Sequence, residues 1–405
     1  MRVGIIGAGP AGSMAAVRLA RAGVAVTLFD PSHPREKPCG GGLTGRALAL
    51  VSDVIDIASL PVVVARSAIV EGAECSTRVP LVDKGATPAS SLLIVSRSVF
   101  DRALLDAAIT AGAVFLPEKV VDVGSSARHM CVRTTRRECR FDQVLGADGA
   151  NSIVRKKLAR PFTRAQLSIA AGYFVGGPTA SGIAVMTTRR QPGYLWSFPR
   201  ADHLAVGICA PATDRTTSRE LRVQSAAWIE QHGLHRHARL IPYAWPIPTI
   251  GHQPQAAIAL GGPGWLLLGD AAGLVDPLTR EGIYYALLSG QWAAETLVSS
   301  GGVDAALTYA HKVLDRIQPE LERAARLSDV FFKPAFSSLL IRALENSRAI
   351  RSVFVDLVGG VQPYHGLGRR LLATREWKLA ADAIPLLLRP AFTGTMSAVA
   401  LPQEM

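Results

Sequence analysis

Apolar positions open the chain as a short unbroken run, residues 3–6, which stops at Gly7-Ala8-Gly9-Pro10-Ala11-Gly12 and gives way to small residues at helical spacing, 13–22. A second run, 25–29, ends at Asp30. Short apolar runs bounded by glycine read as buried strands, and a 3.6-residue period reads as a helix. The opening therefore predicts strand, tight turn, helix, strand. Helical spacing returns at 43–51 and 99–111, while 62–64, 68–70 and 92–95 are short strand-like runs separated by Gly, Pro and Ser. Strands are predicted at 113–115 and 120–123, in a hairpin through 130–133, and at 143–147. A second group, 169–175, 183–187, 194–198 and 204–210, accompanies one helix at 218–231. The run 265–268 precedes a helix at 283–299; from 303 on the pattern is helical and rich in Ala, Leu and Arg, with breaks at Pro319, Pro334, Pro363 and Pro385.

That order predicts an α/β fold in three parts. A discontinuous Rossmann-like nucleotide-binding domain takes 1–65, 96–164 and 251–300. Two excursions, 66–95 and 165–250, form an inserted antiparallel-sheet substrate domain, and 301–405 forms a helical C-terminal region. In the first turn, which includes Ala11, Gly7 permits the bend, Gly9 lets backbone approach a pyrophosphate, and Gly12 lets helix and strand pack closely. The helix N-terminus adds N–H donors and a positive dipole end, and Asp30 is placed to accept hydrogen bonds from an adenosine ribose. Asp148-Gly149 also follows a strand, at the kind of carboxyl edge where open α/β sheets bind ligands. Gly269-Asp270, with a helix beginning after Gly282, puts a carboxylate and N–H donors near a ribityl or phosphate group.

Composition narrows the class. With 49% hydrophobic and 19% charged residues over 405 positions, the chain is globular and large enough to bury a core. No apolar run reaches membrane-spanning length; 265–268 and 386–388 are both short. The first strand starts at residue 2, which leaves no room for a cleavable signal and predicts a cytoplasmic protein. Five cysteines without a Cys-x-x-Cys pair argue against a disulfide framework and a zinc knuckle. His232, His235 and His237 have no acid or cysteine framework nearby and read as surface or satisfied histidines. The net charge of +12 points to a phosphate-bearing substrate or an anionic membrane. Its short clusters, Arg136-Arg137-Arg140, Arg155-Lys156-Lys157 and Arg189-Arg190, lack the interleaved aromatics of a nucleic-acid binder. A solvated basic surface explains the charge equally well.

The glycine turn, the Arg97 segment, Asp148-Gly149 and Gly269-Asp270 together resemble the FAD-binding pattern of the aromatic-hydroxylase-like flavoproteins. Two further stretches, Lys37-Pro38-Cys39-Gly40-Gly41-Gly42-Leu43 and Pro192-Gly193-Tyr194-Leu195-Trp196-Ser197-Phe198-Pro199, resemble the geranylgeranyl reductase branch of that superfamily. The resemblance implies FAD as cofactor, with Asp30 on the ribose, Arg97 along the cofactor and Asp270 at the ribityl chain. Asp148, Gly149 and Gly282 would belong to the same cradle, and Cys39, Gly40 and Gly41 would face the flavin ring. Tyr194, Trp196 and Phe198 would line a lipid channel. Two positions depart from the family pattern: Arg280 stands where many relatives carry Gly before Glu-Gly, and Asp30 stands where many FAD proteins carry Glu.

The implied reaction is hydrogenation of isolated C=C bonds in a polyprenyl lipid or prenylated quinone, with hydride from reduced FAD and a proton from the protein. An isolated alkene has no carbonyl to absorb developing charge, so the proton donor must act early, at the second carbon. Cys39 is the candidate acid, because a thiol with an ordinary pKa of about 8.5 stays protonated at neutral pH; Tyr194 is grouped with it as catalytic. Alternatively, Cys39 is only small enough to fit between ring and backbone. Tyr194, Trp196 and Phe198 alternate and so share one strand face, which suits a flexible hydrocarbon or ordinary core. No second complete glycine motif appears, so the electron donor is NAD(P)H docking transiently or a reduced ferredoxin. The C-terminal helices would cap the lipid channel, lie on an anionic bilayer or pack on the FAD domain. Two rival readings stand: a monooxygenase or halogenase, since 193–199 is similar to the halogenase Trp-x-Trp-x-Ile-Pro motif, and a non-catalytic carrier of prenyl lipid.

Overall fold

Two sheets set the frame. In the first, the strands run in the order Gly261–Gly262, Trp265–Leu267, Gln143–Gly146, Arg2–Ile6, Ala25–Phe29, Val114–Leu116. All neighbours are parallel except the first pair. Strands buried on both faces need continuous apolar sequence, and Val3, Ile5, Leu28, Leu145 and Leu266 supply it with no exposed surface. Helix Pro10–Arg21 packs against Arg97–Thr110 and Ile283–Ser300. The last of these approaches so closely that a side chain at Gly290 would collide with the Ala11 carbonyl.

The second sheet orders seven strands: Leu240–Pro248, Leu167–Gly176, His203–Pro211, Tyr194–Pro199, Gly182–Thr187, Ser67–Glu71 and Ser76–Pro80. It is antiparallel except where Gly182–Thr187 meets Ser67–Glu71 in parallel, the junction between the two excursions of the chain. Helix Ser218–Gln231 lies over it, opened by a capping box between Thr217 and Glu220.

This computed structural model describes residues 1–72, 75–82, 92–126, 129–177, 182–188, 193–234, 238–250, 259–302, 304–379 and 381–382. Arg189, Arg190, Pro192, His235, His237, Pro385 and the run 386–388 lie outside the described residues. The C-terminal helices divide between the sheets. Ala305–Arg316 and Gln318–Phe331 place Val313 and Leu321 in the core of the first sheet. Pro334–Asn346 places Ile341 and Leu344 against Val70 and Val79 of the second. Pro319 and Pro334 sit in the first turns of their helices, where the missing N–H has no partner to lose. Among the described residues no helix is long and apolar enough to cross a membrane.

Candidate active site

The opening turn is built as its glycines require. Gly7 has φ +99°, and a side chain on it would strike the Ala147 carbonyl, while one on Gly12 would strike the Gly7 carbonyl. Gly9, in contrast, has nothing within 4 Å of where a Cβ would stand, and no side chain caps the helix it begins. That open N-terminus fits a pyrophosphate. Beside it, Asp30 Oδ2 accepts from the Ala8 N–H at 3.1 Å and Oδ1 from the Ser32 N–H at 3.0 Å, which fixes the carboxylate at the strand end. Asp148 follows the next strand, with Gly149 in the turn after it. Its Oδ2 accepts from the Ile153 N–H at 2.6 Å, and its Oδ1 is buried without a partner among the described residues. Burial pushes this acid up to about 6, outweighing the donors around it. An orphaned acceptor and an open helix N-terminus at adjacent strand ends fit a dinucleotide that brings its own donors and phosphates.

Toward the other end of the cradle, Asp270 pairs through Oδ2 with Lys37 Nζ at 3.0 Å. Gly282 faces its second oxygen, 3.2 Å from where a Cβ would stand. Arg97 is buried and gripped by Asp101 at 2.8 and 2.6 Å. Asp101 is a partner the sequence reading did not name. In the loop 39–42, Cys39 Sγ accepts from the Gly41 N–H at 3.3 Å, and the Cys39 carbonyl accepts from Arg200 at 2.6 Å. Gly41 has φ +74°, and Gly40 would bring a Cβ within 3.1 Å of the Phe198 ring, so this backbone lies flat against the aromatic strand.

Behind the loop, Glu36 receives Arg200, the Ser96 hydroxyl and the backbone N–H groups of Arg97 and Ser98. Burial alone would raise the acid, but Arg200 and these donors overcome it and hold Glu36 at about 2. Sequence reasoning missed this pair. The two residues lie far apart in the chain, and the only local signal is an arginine in the turn after the aromatic strand.

An apolar cavity of about 250 Å³ adjoins the loop. Tyr194, Trp196 and Phe198 line it from one strand face, as their alternation predicts. Cys39, Gly40, Gly41 and Gly282 form one end, and Phe331, Phe332, Leu357 and Tyr364 of the C-terminal region close over it. The Tyr194 ring stacks on Phe332 with centroids 6.1 Å apart, and its hydroxyl donates to the Thr279 carbonyl at 2.8 Å. Burial pushes that phenol well above its ordinary range. Polar groups concentrate on the loop 276–282. Asp276 Oδ2 accepts from the Tyr364 hydroxyl at 2.8 Å, and Glu281 accepts from Arg46 and Thr44.

The remaining described candidates make contacts of their own. His232 stacks on Trp228 at 4.0 Å and bonds its carbonyl, and among the described residues no group of three His, Cys, Asp or Glu could hold a metal. Arg137 pairs with Glu118 and Lys157 with Asp122, while Arg155 is buried over Phe162.

Comparison with known proteins agrees with this architecture. The family profile described as FAD binding domain matches residues 1–286. The chain is similar to a menaquinone reductase of Mycolicibacterium smegmatis, 30% identical over 88% of this chain and 91% of that one. It is likewise 30% identical to a geranylgeranyl diphosphate reductase of Rhodobacter capsulatus, over 73% of this chain and 74% of that one. Its fold matches the crystal structure of a geranylgeranyl bacteriochlorophyll reductase-like protein from Thermoplasma acidophilum with a TM-score of 0.75, at 21% identity over 92% of this chain and 98% of that one. From the extent of these matches and the glycine-lined cradle, the chain belongs to the geranylgeranyl reductase family of FAD-dependent oxidoreductases.

Proposed function

We propose that this enzyme hydrogenates isolated C=C bonds of a polyprenyl lipid or prenylated quinone. The observation that carries the reading is the apolar cavity leading from the loop 39–42 along the aromatic strand and under the C-terminal helices. The names of the relatives support the same substrate class. In this reading 1–65, 96–164 and 251–300 bind FAD, 66–95 and 165–250 form the substrate sheet, and the helices after 301 roof it.

Bound and reduced, FAD supplies the electron pair and one hydrogen added to the first alkene carbon. Gly7, Gly9, Ala11 and Gly12 hold the pyrophosphate at the helix N-terminus and Asp30 the ribose. Arg97, Asp148, Gly149, Asp270 and Gly282 complete the cradle, with Gly40 and Gly41 against the ring. Tyr194, Trp196 and Phe198 hold the chain, while Phe331 and Phe332 keep water out. Cys39 gives its proton to the second carbon. The Gly41 N–H already aimed at its sulfur orients the side chain for that transfer. The Tyr194 proton is committed to the Thr279 carbonyl, so this residue positions the loop 276–282 and walls the cavity.

Electrons come from NAD(P)H docking beside the flavin or from a reduced ferredoxin. Exposed Leu371, Leu372 and Trp377, interspersed with exposed Arg369, Arg375 and Lys378, support peripheral contact with an anionic membrane near the roof of the cavity. Failure to float with anionic liposomes at physiological salt would remove that contact.

The test of the reaction is anaerobic. Dithionite-reduced enzyme given a menaquinone or geranylgeranyl diphosphate should be reoxidised, and mass spectrometry should show a product heavier by the mass of two hydrogens. A flavin that stays reduced until air is admitted would instead indicate an oxygen-using enzyme, a monooxygenase or halogenase.

A further inference from the structure

One residue of the loop 276–282 holds a backbone conformation its side chain disfavours. Arg280 has φ +59°, in the left-handed region that glycine adopts freely and other residues rarely keep without compensation. Its side chain lines the cavity, where Nη1 donates to Thr249 Oγ1 at 3.0 Å and Nε is buried with no acceptor among the described residues. Among the described residues it forms no ion pair. The other cation lining the cavity, Arg46, is neutralised by Glu281 and lies over the Tyr284 ring. The carboxylate of Asp276 is also spoken for: Oδ1 accepts from the N–H groups of Leu278 and Thr279, and Oδ2 from Tyr364. An otherwise apolar cavity thus keeps a partly buried guanidinium with donor capacity to spare, beside Tyr194. A hydrocarbon satisfies none of that capacity, whereas an oxygen acceptor satisfies it directly.

Resting on the prenyl-reductase reading, we propose that Arg280 is a head-group subsite whose guanidinium donates to an oxygen, quinone carbonyl or phosphate, carried at the end of the prenyl chain. Held there, the head anchors one end of a flexible substrate and sets which double bonds come to rest against the loop 39–42.

The test compares the wild type with Arg280→Gly, which relieves the backbone, and Arg280→Lys. Perturbation of the oxidised flavin spectrum reads the affinities for a short-chain menaquinone, geranylgeranyl diphosphate and a head-less prenyl hydrocarbon of equal length. At least one head-bearing ligand should bind wild type about 10-fold or more tightly than the hydrocarbon. R280G should lose that preference with hydrocarbon affinity unchanged, and R280K should keep part of it. Loss confined to the menaquinone identifies a carbonyl, and loss confined to the diphosphate a phosphate. A preference that survives in R280G overturns the proposal while leaving the prenyl reading intact. A preference that survives alongside weaker FAD affinity or a shifted flavin potential assigns the guanidinium to the cofactor and also overturns it. Absence of any lipid binding to wild type overturns both. Thermal unfolding should find R280G no less stable than wild type.

Discussion

Replacing Glu36 by glutamine removes one charge from the junction between the loop 30–42, the helix Arg97–Thr110 and the turn that carries Arg200. Arg200 has no exposed side-chain surface and Glu36 keeps only 21% of its own. The fall of the acid from 4.5 to about 2 on folding corresponds to about 3 kcal/mol at neutral pH. Because the folded value is the depressed one, the contribution is complete above the unfolded value near 4.5 and drains away as pH falls toward 2. Glu36→Gln should therefore cost about 3 kcal/mol at pH 7, in line with the loss of one partner from a buried pair. The gap to wild type should hold near pH 5 and narrow to about 2 kcal/mol by pH 3.5. Urea unfolding of the flavin-loaded protein at those three values measures it. A gap below about 1 kcal/mol at pH 7, or one of equal size at all three, would refute the argument.

Other substitutions probe the remaining parts of the site. Cys39→Ser keeps the size but weakens the acid; reoxidation of reduced flavin by substrate should slow by about 10² or more at unchanged FAD content, and an unchanged rate removes Cys39 as donor. Asp148 is raised to about 6 by burial, so the wild type loses stability as pH rises from about 4 to 6, through a range where the folded state holds the proton and the unfolded one does not. Asp148→Asn should abolish that fall and be the more stable form above pH 7 by about 1–3 kcal/mol; parallel stability curves would contradict it. Gly12→Ala forces a methyl onto the Gly7 carbonyl and should yield protein with little bound flavin, read from its visible-to-ultraviolet absorbance ratio; normal flavin content would show that the turn can yield.

The parts of this molecule legible in its sequence are those with short-range causes. Ala25–Phe29 and Ser218–Gln231 occur with the bounds their patterns predict, and the opening turn needs Gly7 and Gly12 for steric reasons, while the space at Gly9 is open. Alternation alone put Tyr194, Trp196 and Phe198 on one face, but not what that face meets; Phe332 arrives from a helix with no sequence link to it. Arg97 was singled out only by the family resemblance, and its burial and grip by Asp101 were not legible. Arg280 was visible only as a departure from a family pattern, since its left-handed backbone and unsatisfied Nε depend on the surrounding fold. Ser76–Pro80 and Leu240–Pro248 were unpredicted strands. The second carries Pro242, Pro246 and Pro248, which normally argue against a strand, and is tolerated because it lies at the sheet's edge.

Those three prolines are separated by even numbers of residues, so they share one direction in the plane of the sheet, and having no N–H they can only point away from the neighbouring strand. The outer rim of the larger sheet is thereby stripped of most of the donors that an incoming strand would pair with. A second copy of the chain, or a partly unfolded one during synthesis, finds a poor template there for strand addition. Strand addition along this rim is disfavoured, which protects one edge of a long sheet that lies beside a greasy cavity.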